Sequence, residues 1–370
     1  MRLARRDAWI GVAVGAVLAV AACAPPSSSG ASNASAATAT NAADMGGMDA
    51  LIAAAKKEGS LNMVSTAPDW ANYGAIMDGF QKKYGIKIVD DNPEGSSQDE
   101  INALKRLAGT DRAPDVFDVG VRELADLSLF APYQVATWKD IPVSQRESSG
   151  LWVQDYGGYM AIGYDSSRVP AINSVKDLLK PELRGKIALF ADPTTSASAL
   201  TAVLMTSVGN GGSLNDVSKG VEFFARLRKT GNFVPVAATT ATVKSGTTPV
   251  VLNWDYLAVS FEKDVPTWKL FIPSDALIAG YYNQTINKAA PHPAAARLWE
   301  EYLYSDVGQN LFLEGGARPV RMEAMIKAGT IDKSAAASLP SVSGRAQTVS
   351  LDQAATAKAY LIANWAQAIG

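Results

Sequence analysis

The sequence predicts an α/β protein of two lobes, each built on a parallel sheet, joined by connecting strands. Three observations carry this. Short apolar runs alternate with amphipathic stretches from residue 48 onward, in the order helix, strand, helix, strand. A second series of the same kind opens near residue 159. The chain, 370 residues long, exceeds what one compact core accommodates.

The first series runs as follows. Residues 48–57 place Leu51, Ile52 and Ala55 on one face and stop at Glu58-Gly59, a helix with a glycine end. Residues 61–64 form a strand. Residues 71–84 form a helix with Ile76, Met77 and Phe80 inward, stopped by Gly85, and residues 86–89 a strand. Residues 98–107 form a helix entered through Ser96-Ser97, and residues 116–119 a strand after Pro114. The second series has strands at 159–164, 186–190, 250–252 and 276–287. Its helices fall at 175–179, 197–208, 221–229 and 293–304, with a turn at Asn210-Gly211-Gly212. A low-complexity stretch, 334–348, reads as a loop before a last helix at 354–368.

Composition narrows the function. The chain is 48% apolar and 19% charged, with net charge −2, which argues against a nucleic-acid binder. One cysteine excludes an internal disulfide, and one histidine with that cysteine leaves no zinc site. Residues 90–100 have Gly95 at the sixth place of a calcium-type loop but Ile101 at the twelfth, where a glutamate is needed, so calcium is rejected. No metal and no cofactor is expected.

The N-terminus is read separately. Arg2, Arg5 and Arg6 precede an apolar run, residues 10–20, of signal-peptide length and too short for a permanent span. Val20-Ala21-Ala22-Cys23 resembles the bacterial lipobox. The resemblance implies a signal peptide of residues 1–22, a lipidated Cys23 carrying palmitate-type chains, and a body held on the outer side of the cell membrane. Residues 24–47, small and polar, are expected to be a flexible tether reaching about 25–30 Å.

Several further stretches resemble a family. Ala53-Ala54-Ala55-Lys56-Lys57-Glu58-Gly59, Tyr84-Gly85-Ile86-Lys87-Ile88, Pro114-Asp115-Val116-Phe117-Asp118-Val119 and Leu183-Arg184-Gly185-Lys186-Ile187-Ala188 come in that order. They are followed by Ala290-Pro291-His292-Pro293, Tyr304-Ser305-Asp306-Val307-Gly308-Gln309 and Gly316-Ala317-Arg318-Pro319-Val320. Together they resemble the solute-binding proteins of ABC importers, and the segment Asp69-Trp70-Ala71-Asn72-Tyr73-Gly74 is similar to members grouped with polyamine, thiamine, iron and phosphonate binders. The resemblance implies a periplasmic-binding-protein-like fold, a monomer, a small-molecule solute held between the lobes, and an ABC permease as partner. It divides the chain into lobe 1 (48–155 and 280–321) and lobe 2 (156–279 and 322–370). The hinge is expected at 155–163 and 279–284, with Gly157, Gly158 and Gly280 giving permissive backbone.

In sheets of this type ligands sit beyond the carboxyl ends of the strands. That rule selects the aromatic residues Trp70, Tyr73, Trp254, Tyr256 and Tyr282 and the acids Asp69, Asp192 and Asp255, a set suited to an organic cation. It also selects Ser65, Thr66, Ser96, Ser97, Thr194 and Thr195, which precede helices and suit an anion at a helix N-terminus. Each residue has a structural role open to it as well, in core packing or capping. Both chemistries stay open, with the lean toward an amine-bearing solute, polyamine- or aminophosphonate-like. Iron is the alternative through the adjacent Tyr281-Tyr282. A secreted hydrolase is the other, though no G-x-S-x-G is present and His292 lies between two prolines.

Overall fold

The computed structural model describes residues 33–370. The expected signal peptide and the expected lipid site at Cys23 lie outside the described residues. In chain order, lobe 1 begins with α1 (Asn33–Thr38), α2 (Met48–Glu58), β1 (Ser60–Val64), α3 (Tyr73–Tyr84), β2 (Lys87–Asp91), α4 (Ser97–Arg106), β3 (Val116–Val119) and β4 (Phe130–Ala131). Strand β5 (Val153–Asp165) then runs into lobe 2. Lobe 2 holds β6 (Ile187–Leu189), α5 (Ala197–Gly209), α6 (Ser218–Thr230), α7 (Thr240–Ser245), β7 (Val250–Trp254), α8 (Asp255–Val259) and β8 (Trp268–Phe271). Strand β9 (Ile278–Asn287) returns to lobe 1, followed by α9 (Pro293–Leu303) and α10 (Asp306–Glu314). The chain ends with β10 (Arg318–Pro319), α11 (Met322–Ala328), α12 (Lys333–Ser338), β11 (Gln347–Thr348) and α13 (Leu351–Ile369).

Local chemistry sets the boundaries. Gly59, Gly85 and Gly231 close α2, α3 and α6 in the left-handed region that a side chain disfavours. Ser96 and Asp99 form a reciprocal capping box on α4. Helix α9 is buried along its whole length, packed against α1 and α2 on one side, while its Trp299 meets the rings of Tyr73 and Phe80, with Phe312 beside Tyr73, on the other.

The expected two-lobed α/β architecture is present, and its ladders include antiparallel as well as parallel pairs. β1 and β2 are parallel, as are β6 and β7. The remaining ladders are antiparallel apart from a short parallel pairing of β11 with β9. The two strands shared by the lobes run oppositely, β5 outward and β9 back beside it, and β3, β4, β7, β8 and β10 pair with them antiparallel. The first half of β5 pairs with β9, and its second half with β7 and β8.

Glycine is needed in these shared strands for close approach, since their glycines are not among those of positive φ. A Cβ on Gly280 would lie 2.3 Å from the Trp254 indole, and one on Gly158 would lie 2.0 Å from Asp255 Oδ1.

Two stretches depart from the sequence reading. Residues 33–47 were expected as part of a tether, yet Ala36 and Ala39 are buried against α9. Arg297 donates from Nε to Ala39 O (2.8 Å) and from Nη2 to Ala37 O (3.1 Å), and Gln134 N donates to Thr40 O (2.7 Å). Small residues let backbone approach the helix closely, and a buried guanidinium supplies the donors its carbonyls need.

The tail is likewise divided. α11 and α12 pack with Leu313 of α10 on lobe 1, so they do not join lobe 2. Only α13 does, burying Leu361 and Trp365 against α6, with Trp365 edge-on to Phe224 and Phe233. Helix α13 also reaches back to lobe 1, where Lys358 Nζ donates to Gln98 Oε1 at 2.7 Å.

Candidate ligand-binding cleft

A cleft of about 640 Å³ lies between the lobes, at the carboxyl ends of β1, β2, β3 and β6. Ser65 follows β1 with φ +60°, a strained geometry for a serine, and its Oγ is buried without a partner. Asp69 and Trp70 continue the same loop into the cleft wall, where Trp70 meets Phe190 of lobe 2 edge-on at 6.0 Å. Ser96 and Ser97 bring the N-terminus of α4 to the cleft, and Ser97 Oγ accepts from Gly120 N (3.3 Å) at the end of β3. From lobe 2, Thr195 and Ser196 bring the start of α5, and Tyr256 follows β7. Tyr282 reaches the cleft from β9 and stacks on Tyr156 of β5, their rings 5° from parallel at 5.8 Å.

Other expected residues stand elsewhere. Tyr73 is fully buried behind the cleft, because it opens α3 on the inward face, and its hydroxyl accepts from Gln284 Nε2 at 2.9 Å. Thr66 is turned inward and binds Asp90 through its backbone N–H. Asp192 closes its own turn on Thr194 N and Oγ1 (2.8 and 2.7 Å), which keeps both residues off the cleft wall.

Trp254 fills the slot left by Gly280 and lines a separate cavity of about 90 Å³ with Tyr281. Tyr281 and Tyr282 therefore do not point together into the main cleft. Asp255 is fully buried beside the shared strands. It accepts from Tyr159 N (2.9 Å) and pairs with Arg318 Nη1 at 2.6 Å, a clamp on the crossing and not a cleft wall.

Sequence reasoning missed the floor. Glu100 and Asp118 line the cleft and are buried, and Glu100 Oε2 accepts from Asp118 N at 3.0 Å. Asp118 Oδ2 accepts from the Tyr156 hydroxyl (2.8 Å), while its Oδ1 is buried with no partner. Burial pushes the Asp118 carboxyl up to about 7, against the lowering effect of Tyr156 and Tyr73. Burial, then the neighbouring Asp118, holds Glu100 well above the usual range. Glu94 at the rim is raised by burial and by Asp69. Thr239 and Thr240, from a segment without periodic pattern, complete the lobe 2 wall.

The cleft is polarised. Asp69, Glu94, Asp99, Glu100 and Asp118 all belong to lobe 1; lobe 2 contributes hydroxyls, backbone and rings. Among the described residues, no lysine, arginine or histidine lines it. Among the described residues no cluster of three or more His, Cys, Asp or Glu side chains is placed to hold a metal ion, and no helix is long and apolar enough to cross a membrane.

Comparison with known proteins gives this geometry its setting. The periplasmic binding protein AfuA from Actinobacillus pleuropneumoniae, with fructose-6-phosphate bound, superposes with a TM-score of 0.67 at 18% identity, covering 84% of this chain and 98% of its own. A putative spermidine/putrescine ABC transporter from Listeria monocytogenes matches at 0.66 and 14% identity, over 83% and 99%. Iron-bound HitA from Pseudomonas aeruginosa matches at 0.62 and 17%, over 84% and 99%. Identities this low carry the two-lobed fold and not the ligand. The model of the bacterial extracellular solute-binding proteins matches residues 115–341, more than half of the sequence, and the chain belongs to that family.

Proposed function

We propose that the chain is the solute receptor of an ABC importer and that its cleft holds an amine-bearing organic cation, polyamine-like in its charge. The observation that carries this is the lining: five carboxyl groups and, among the described residues, no basic side chain. Rings of Trp70, Tyr156, Tyr256 and Tyr282 stand beside those acids. Cation–π attraction adds about 0.5–2 kcal/mol per ring, most where water is excluded. The starts of α4 and α5 at the same cleft leave room for an aminophosphonate, whose anionic end would meet backbone N–H groups. In this reading the receptor is a monomer anchored through lipid on Cys23, and it delivers its solute to a membrane permease.

A ferric ion is the second reading, favoured by three tyrosines lining one cleft, Tyr156, Tyr256 and Tyr282. It requires phenolates, and burial with neighbouring acids and phenols pushes all three hydroxyls upward.

Melting curves and calorimetry with spermidine, 2-aminoethylphosphonate, fructose 6-phosphate and ferric citrate decide between them. Saturable stabilisation by either amine, without turnover, is the expected result. Stabilisation only by the sugar phosphate or by iron overturns the amine reading.

A further inference from the structure

The cleft floor continues as a line of buried polar groups into the strands that join the lobes. Asp118 is bonded to Tyr156 of β5, and the Tyr156 ring meets Tyr73 edge-on at 5.8 Å. The Tyr73 hydroxyl lies 3.3 Å from Asp155 Oδ2, and Gln284 Nε2 donates to both, at 2.9 Å and 3.0 Å. Asp155 lies on β5 and Gln284 on β9, so the line ends in the crossing itself.

The surrounding charges are mostly of one sign. Glu100 on α4 and Glu300 on α9 add carboxyls, and neither Glu300 oxygen has a partner. The hydroxyls of Tyr256, Tyr282 and Tyr304 also face the Asp118 field. The cations on this side are Arg122 and Lys358, engaged by Glu123 and Gln98, and Arg297 on α9, which acts on Glu300 from a distance while its guanidinium is bonded to the carbonyls of Ala37, Ala39 and Pro293. Among the described residues, Asp118, Asp155, Glu100 and Glu300 form no ion pair. Carboxyls buried together with no cation paired to them do not all ionise, and a proton stays among them.

Resting on the amine reading, we propose that the cleft takes up its cation in exchange for a proton held between Asp118 and Asp155. The ammonium enters against Asp118 and keeps its own N–H bonds. One carboxylic O–H ionises, its proton passes to solvent, and the charge of the floor is unchanged once the cation is seated. Burial, which lifts Asp118 to about 7 and Asp155 well above the usual range, agrees with a proton present near neutral pH. Affinity should then fall roughly tenfold for each pH unit below neutrality, the slope of a one-proton exchange.

The test is calorimetry of spermidine, and separately of 2-aminoethylphosphonate, into the full chain at pH 7 in phosphate and in Tris. These buffers differ in their heat of protonation. About one proton released per amine bound is expected in the wild type, and less in Asp118→Asn. Tight binding with the same heat in both buffers overturns the exchange and leaves the amine reading standing. Binding of neither amine removes that reading and the exchange with it. Infrared spectroscopy needs no variant: the C=O absorption of protonated carboxyls is expected at pH 7, and amine addition removes part of it while the contribution of Glu300 stays. An absorption that amine addition leaves unchanged also overturns the exchange.

Discussion

Glu300 shows what an unpaired buried acid does to a protein. It sits on α9, 3% exposed, with neither oxygen bonded, and burial lifts its carboxyl to about 8. A carboxyl raised in the folded state binds a proton that the unfolded chain releases near pH 4.5. Stability is therefore full below that value and is lost as pH rises through about 8. Replacing Glu300 with Gln should flatten the stability profile between pH 5 and pH 8 by on the order of 3 kcal/mol, read from urea unfolding across that range. An unchanged slope would show that Glu300 is already ionised in the fold. Sequence gave no sign of this residue, because an acid in a run of alanines and aromatics reads as the solvated edge of a helix. Asp118 and Glu100 escaped for the same reason. A strand residue and a first-turn glutamate look structural until a neighbouring element closes over them.

At the scale of elements, strand ends were legible. Apolar runs and glycine stops located β1, β2, β3 and β6, and the loops beyond them, carrying Ser65, Asp69, Trp70, Ser96, Ser97 and Thr195, do face the cleft. The choice between Trp254 and Tyr256 was not legible, because it depends on Gly280 across the sheet. The indole drops into the space where that glycine has no side chain, and Tyr256 is left to the cleft. Gly280→Ala should destabilise the protein by about 1–3 kcal/mol in urea unfolding, since the new Cβ would meet the Trp254 ring at 2.3 Å. A double variant that also replaces Trp254 with Leu should recover part of that loss. The packed segment 33–47 was hidden as well. Its composition is that of a linker, and partners far along the chain, the buried Arg297 and Gln134, help make it an element.

For the whole molecule, the charge of the cleft is uneven: lobe 1 carries every acid of the lining and lobe 2 none. Under the amine reading, lobe 1 attracts the cation at long range and lobe 2 adds only neutral contacts. Raising salt should therefore slow the association of spermidine several-fold and leave its dissociation rate nearly unchanged. Stopped-flow tryptophan fluorescence, with Trp70 in the wall as reporter, reads both rates. A dissociation rate that rises as steeply as association falls would contradict this division.

The same unevenness has a consequence for selectivity. Under the amine reading, lobe 1 registers how much charge a solute carries and lobe 2 registers its outline, through Thr239, Thr240 and the start of α5. Two amines of equal charge would be admitted alike by the first surface and told apart by the second. A change confined to lobe 2 could then retune which amine is transported while the chain remained a receptor for amines.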